Sequence, residues 1–144
     1  MAPEKYQVLI LGHGEMGLAM EYWLRPRHDV LIWQRHPKEG RPLDLSAAAA
    51  QSDFILFCLP AAPHFELATR LKPALRQTTG CISIAKGLDD SGRTAAQVLH
   101  EVLAEDVPWG VLHGPMISEE IRAGRPAFAD FASLNPQAHE RLRR

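Results

Sequence analysis

Short continuous apolar runs alternate with helix-forming stretches along this chain, and that alternation leaves few folds open. Gln7-Val8-Leu9-Ile10-Leu11 carries no polar residue after its first position, the pattern of a strand covered on both faces. The stretch 15–24 is built of good helix formers and stops at Arg25-Pro26, where proline ends a helix. The same pairing recurs. Strands are predicted over 30–33, 54–59, 81–85 and 109–112. Helices are predicted over 44–51 (capped by Asp44 or Ser46), 63–71, 94–105 and 117–123, the last ended by Gly124. Residues 127–132 read as a sixth strand, and Asn135-Pro136 opens a final helix to Arg144. Such alternation implies a doubly wound α/β fold with a parallel sheet and right-handed crossovers. The final helix is either docked on the core or the point at which a longer domain is cut.

Composition narrows the class. A chain of 144 residues with 46% hydrophobic and 23% charged residues has material for one domain with a real core. Sixteen Lys and Arg against 17 Asp and Glu give a net charge of -1, which argues against nucleic acid as a partner. No apolar run approaches the roughly 20 residues of a membrane span. No signal-peptide pattern precedes the first strand, so a soluble cytoplasmic protein is expected. Cys58 and Cys81 lie in strand-like runs and read as buried reduced thiols. The seven histidines lack metal-ligand spacing, and no metal site is expected. Ser46, Ser52 and Ser118 do not sit in a nucleophile elbow. Arg141, Arg143 and Arg144 read as a helix end rather than a nucleic-acid tail.

The most informative segment is Gly12-His13-Gly14-Glu15-Met16-Gly17, a GxGxxG spacing placed between a strand and a helix. In the Rossmann arrangement the first glycine makes the tight turn. The second leaves room for a pyrophosphate against the backbone, and the third lets helix and strand pack closely. Unpaired N–H groups and the helix dipole favour the anion there. Glu15 brings a negative charge to the same end, which is tolerable if its carboxylate points away. The competing reading is a glycine turn that binds nothing.

NAD-binding versions of this fold hold the ribose hydroxyls with an acid at the end of the second strand. Here that strand ends Trp33-Gln34-Arg35-His36, with no acid. A guanidinium at position 35 can fork onto a 2′-phosphate, so the expected cofactor is NADP or NAD, with NADP favoured. A solvated basic loop is the alternative. Lys86, after the fourth strand, stands at the carboxyl edge where open sheets bind ligands. The plain alternative is a surface lysine. His113 is the histidine nearest that edge and a candidate acid or base.

The glycine loop is followed in order by Trp33-Gln34-Arg35, Phe57-Cys58-Leu59-Pro60, Ile84-Ala85-Lys86-Gly87, Gly92-Arg93, and Gly114-Pro115 with Glu119-Glu120. With this ordered set the whole chain resembles the N-terminal domain of NAD(P)-dependent glycerol-3-phosphate dehydrogenase. The resemblance implies a Rossmann domain over 1–144 of an oxidoreductase that interconverts dihydroxyacetone phosphate and sn-glycerol 3-phosphate. It also implies roles. Positions 15 and 16 face the pyrophosphate, Arg35 and His36 the adenosine ribose, and Ser118 the cofactor. Lys86 lies beside both cofactor and substrate, and Gly114 meets the substrate through its backbone.

Two positions depart from the family pattern. The family usually has a small residue and an aromatic where Glu15 and Met16 stand, and a substrate-holding serine where Met116 stands. Both bear on the identity of the phosphorylated substrate. The Gly-x-Met-Gly wording at 14–17 is also similar to 3-hydroxyacid and 6-phosphogluconate dehydrogenases, which remain the alternative enzyme class. In the resembled family a second, helical domain supplies the catalytic lysine. The expectation is therefore that this chain stops before that domain and before the last strand of the first. Lys86 then supports catalysis without completing it. A non-catalytic NADP(H)-binding module is the other reading, and a homo-oligomer is left open.

Overall fold

A computed structural model describes residues 2–142. Arg143 and Arg144, assigned to a helix end from sequence, lie outside the described residues. Six strands form one sheet in the order β2-β1-β3-β4-β5-β6. They are β1 (Gln7–Leu11), β2 (Asp29–Trp33), β3 (Phe54–Phe57), β4 (Gly80–Ser83), β5 (Trp109–His113) and β6 (Asp130–Ala132). The helices are α1 (Glu15–Leu24), α2 (Leu45–Ala50), α3 (His64–Leu71), α4 (Ala95–Leu103), α5 (Ser118–Arg122) and α6 (Pro136–Leu142). This is a mostly parallel, Rossmann-like sheet. Among the described residues no helix is long and apolar enough to cross a membrane.

β1 lies between β2 and β3, with Val8 opposite Val30 on one side and Phe54 on the other. Its period-two alternation builds two cores at once. Leu9 and Leu11 join Phe57, Leu67, Leu71, Leu99 and Trp109 under α2, α3 and α4. Val8 and Ile10 join Ala19, Met20 and Ile121 under α1 and α5. The continuous apolar run is thus explained by burial on both faces.

Several boundaries differ from the sequence expectation, each for a local reason. Asp44 rather than Ser46 caps α2, its Oδ1 accepting from the Ala47 N–H at 2.9 Å. Thr94 caps α4 in a reciprocal box with Gln97, and Ala104 at φ 47° ends that helix two residues early, at Leu103. β3 gives up its strand geometry after Phe57 and turns at Leu59-Pro60. β4 ends at Ser83, because the Ala85 N–H donates to Ser83 Oγ at 3.1 Å instead of to a neighbouring strand.

The expected all-parallel sheet needs a correction at one edge. β6 pairs antiparallel with β5, with Leu112 opposite Phe131. Gly110 permits this: a Cβ there would lie 2.2 Å from the Phe131 ring. The sixth strand is also shorter than the expected 127–132.

Candidate functional site

The strand order reverses at β1, since β2 lies on one side of it and β3 to β6 on the other. In open α/β sheets that reversal leaves a crevice at the carboxyl ends of the strands, where ligands bind. The glycine loop emerges there. Gly12 has φ 96°, a left-handed conformation, and a Cβ on it would lie 2.5 Å from the Cys58 carbonyl oxygen. A Cβ on Gly17 would lie 2.2 Å from the Gly12 carbonyl oxygen, so the start of α1 is packed directly on the turn. Gly14 is different: a Cβ there would meet nothing within 4 Å. Gly14 is also the N-cap of α1 and offers no side-chain cap to the first-turn N–H groups. The three glycines therefore divide into a turn, an open approach and a close packing contact.

Two clefts meet at Gly14. The first, about 310 Å³, is lined by Gly12, His13, Gly14, Trp33, Gln34, Arg35, His36, Leu59, Pro63 and Leu67. The second, about 380 Å³, is lined by Gly14, Glu15, Met16, Cys58, Leu59, Pro60, Ile84, Ala85, Lys86 and Met116. The sequence-predicted residues are thus gathered around one loop: Arg35 and His36 on one side of it, Lys86 and Met116 on the other.

The first cleft is ringed by ion pairs. His13 Nε2 donates to Glu21 at 2.5 Å, and Gln34 Nε2 stands 3.4 Å from His13 Nδ1. Burial alone would raise the Glu21 carboxyl, but the bonds from His13 and Arg25 outweigh it and hold it below the usual range. Arg35 donates to Glu66, a residue of α3, and its guanidinium carbon stands 5.8 Å from the centre of the Trp33 ring. That bond from Arg35 is the main cause keeping the Glu66 carboxyl below its ordinary value.

In the second cleft Lys86 is exposed and its Nζ reaches the Gly114 carbonyl oxygen at a long 3.5 Å. The same oxygen accepts from the Met116 N–H at 2.8 Å. A Cβ on Gly114 would lie 2.4 Å from the Phe128 carbonyl oxygen, so no side chain fits there. Glu15 also lines this cleft, with its carboxylate engaged by residues of α5. Its carboxylate accepts from Ser118 Oγ and from Arg122, both at 3.1 Å. Ser118 therefore touches Glu15 and is not among the residues lining either cleft. His113 donates Nε2–H to the Ala85 carbonyl at 3.0 Å, tying β5 to the start of the Lys86 turn. Cys58, in the cleft wall, has its thiol pushed up to about 12 by burial. No group of three or more metal-ligating side chains occurs among the described residues.

A buried pair beneath the second cleft has no counterpart in the sequence reading. His64 is fully buried, stacked on Phe57 with ring centres 5.0 Å apart. Its Nδ1 stands 2.9 Å from the Pro60 carbonyl and its Nε2 2.7 Å from Ser83 Oγ. A carbonyl only accepts, so Nδ1 carries the proton. Burial lowers the His64 pKa and favours the neutral ring, so Nε2 accepts from the Ser83 hydroxyl. Ser83 Oγ in turn accepts from the Ala85 N–H. This chain of bonds fastens the ends of β3 and β4 and fixes the backbone from which Lys86 projects. Nothing in the local sequence announces it, because the partners are 19 positions apart.

Comparison with known proteins gives one family. Residues 41–139 match the family model described as the NAD-dependent glycerol-3-phosphate dehydrogenase N-terminus. A glycerol-3-phosphate dehydrogenase, NAD(P)+, of Klebsiella pneumoniae is 29% identical over 160 residues, covering 94% of this chain and 47% of the relative. The corresponding protein of Yersinia pestis is 30% identical, covering 92% and 47%. A crystal structure of glycerol-3-phosphate dehydrogenase from Coxiella burnetii superposes with a TM-score of 0.79 at 26% identity, covering 96% of this chain and 50% of that one. The chain spans about half the length of the curated relatives it matches. On the matched residues, which cover more than half of its length, this chain belongs to the NAD-dependent glycerol-3-phosphate dehydrogenase N-terminal family.

Proposed function

We propose that this chain is the dinucleotide-binding part of an NAD(P)-dependent glycerol-3-phosphate dehydrogenase, that NADP(H) is its preferred cofactor, and that it works in the cytoplasm. The observation that carries the reading is the open Gly14 at the meeting point of two clefts, with a guanidinium on one and an ammonium on the other. A dinucleotide has that shape: a pyrophosphate between two nucleoside ends. Gly12, Gly14 and the first-turn N–H groups of Glu15, Met16 and Gly17 suit the pyrophosphate. Arg35 and His36 suit the adenosine end, and the second cleft the nicotinamide.

A nicotinamide cofactor held here would supply the hydride for reduction of dihydroxyacetone phosphate. The residues of this chain position and polarise. Met116, Leu59 and Ile84 give the second cleft an apolar wall that keeps water from the reacting carbon. Lys86 stands at its mouth, where an ammonium attracts the substrate phosphate or polarises the carbonyl. Gly114 offers its backbone, and Met116 stands where the resembled family places a serine. The resembled family places the proton donor and the rest of the phosphate site in a second, helical domain, so the residues around these two clefts bind cofactor and orient substrate without completing the proton transfer.

Fluorescence titration with NADPH and NADH tests the reading. A charge-assisted bond from Arg35 is worth roughly 1.5–3 kcal/mol, so NADPH should bind about tenfold tighter or more, and Arg35→Ala should erase the difference. Equal affinities overturn the NADP preference. Absence of binding to either nucleotide overturns the cofactor assignment.

A further inference from the structure

Arg35 is already engaged in this structure. Its Nη2 donates to Glu66 Oε2, and Arg70, one turn further along α3, donates to Glu66 Oε1 at 3.1 Å. Glu66 lies in sequence between Pro63 and Leu67, two residues that line the first cleft beside Arg35. The pair therefore closes the rim of the cleft from the α3 side. Both side chains are 47% exposed, so the contact is weak enough to be exchanged.

The exchange has different consequences for two ligands. A 2′-phosphate at this rim competes with Glu66 for the Arg35 guanidinium, and it meets the repulsion of the carboxylate as it does so. A 2′-hydroxyl carries no charge, so it neither draws Arg35 from Glu66 nor meets repulsion from the carboxylate. Arg70 keeps Glu66 partnered when Arg35 leaves, so the exchange strands no carboxylate.

We propose that Glu66 is a specificity-determining residue that sets the NADP-to-NAD ratio by holding Arg35 across the rim of the first cleft. The inference rests on the cofactor assignment above and deepens it. Glu66 restrains a preference that Arg35 creates, and the two act as a coupled pair.

The test is a double-mutant cycle on the 144-residue chain, titrated with NADPH and NADH by nucleotide fluorescence at low ionic strength. Glu66→Gln should tighten NADPH about fivefold, the scale of losing one half-exposed ion pair together with one nearby like charge, and should move NADH by less than about twofold. Glu66→Ala should act in the same direction, and retained NADH binding in either variant shows that the cleft is intact. In an Arg35→Ala background the gain should shrink to the part owed to the like charge alone, less than about twofold. An NADPH-to-NADH ratio unchanged by both Glu66 variants overturns the proposal. So does a gain that persists in full without Arg35, because Glu66 would then act by its charge alone. A wild-type chain that binds neither nucleotide overturns the cofactor assignment along with this inference, whereas one that binds both with a ratio indifferent to Glu66 overturns this inference alone.

Discussion

The cleft on the Arg35 side of Gly14 and the cleft on the Lys86 side differ in how their charges are held. On the first side Arg35 is paired with Glu66, and His13 with Glu21. A ligand there competes with bonds the protein already makes. On the second side Lys86 has one long contact to a backbone oxygen, and much of the wall around it is apolar. A ligand there finds a cation that makes no salt bridge among the described residues. The lesson is a division of labour. The first cleft is arranged to discriminate between similar ligands, and the second to act on one.

Substituting Gly14, which belongs to both clefts, should have the largest effect. Gly14→Val should reduce affinity for either nucleotide by about a hundredfold or more, because a branched side chain would fill the open approach at the helix N-terminus. The fold should survive, since Gly14 has φ -81° and a Cβ there meets no protein atom. Titration beside a circular-dichroism melt checks both halves, and a well-folded variant with normal affinity would mean that the loop was misassigned.

Lys86→Ala should separate the clefts. In a chain extended by the second half of a relative, turnover should fall by about two orders of magnitude, the scale of one lost electrostatic stabiliser. NADPH affinity should change by less than about threefold. Steady-state rates and titration on the same protein decide the matter; a loss of affinity equal to the loss of rate would erase the distinction between the two sides.

The buried His64–Ser83 pair fastens the ends of β3 and β4 from which Lys86 projects, so weakening it should loosen the second cleft. Ser83→Ala strands both His64 Nε2 and the Ala85 N–H, at a cost of about 1–3 kcal/mol measurable by denaturant titration. The pH dependence has a definite sign. Burial lowers the His64 pKa below 6.5, so the unfolded chain binds a proton more readily than the folded one. This contribution to stability is full above about pH 6.5 and is lost as pH falls through the lower, folded value. Denaturation midpoints from pH 7.5 to 5 should fall less in His64→Gln than in the wild type.

Glu15→Gln should matter least. Its bonds to Ser118 and Arg122 are exposed, and such pairs contribute about 0–1 kcal/mol. Affinity for NADPH should rise by less than about threefold as one negative charge leaves the pyrophosphate end. A larger change would show that the Glu15 carboxylate does not stay with Ser118 and Arg122.

What was readable from the sequence was local. β1, the glycine turn and α1 are consecutive, and each states its requirement in its own residues: an apolar run, three spaced glycines, a proline stop. Arg35 and Lys86 were found because they end strands. Glu66 was missed because it reaches Arg35 across 31 positions, and on its own helix it looks like a solvated acid paired with Arg70. The direction of β6 was missed for a related reason. It depends on Phe131 covering Gly110, a contact that no periodicity reports. The family match, too, covers 41–139 and leaves out the glycine loop, so loop and family model support the reading from separate residues.

Because Gly14 and Leu59 belong to both clefts, a molecule that fills the two is a bivalent ligand whose halves share an anchor point. Once one half is seated, the other is confined near its own cleft at an effective concentration on the order of millimolar or above, whatever its concentration in solution. Two mononucleotides supplied separately would lack that advantage even if each made every contact of the joined molecule. The short glycine turn thus sets an exchange rate between two weak bindings. Lengthening it by a single residue would alter the separation of the clefts, and avidity would fall although no contact residue had changed.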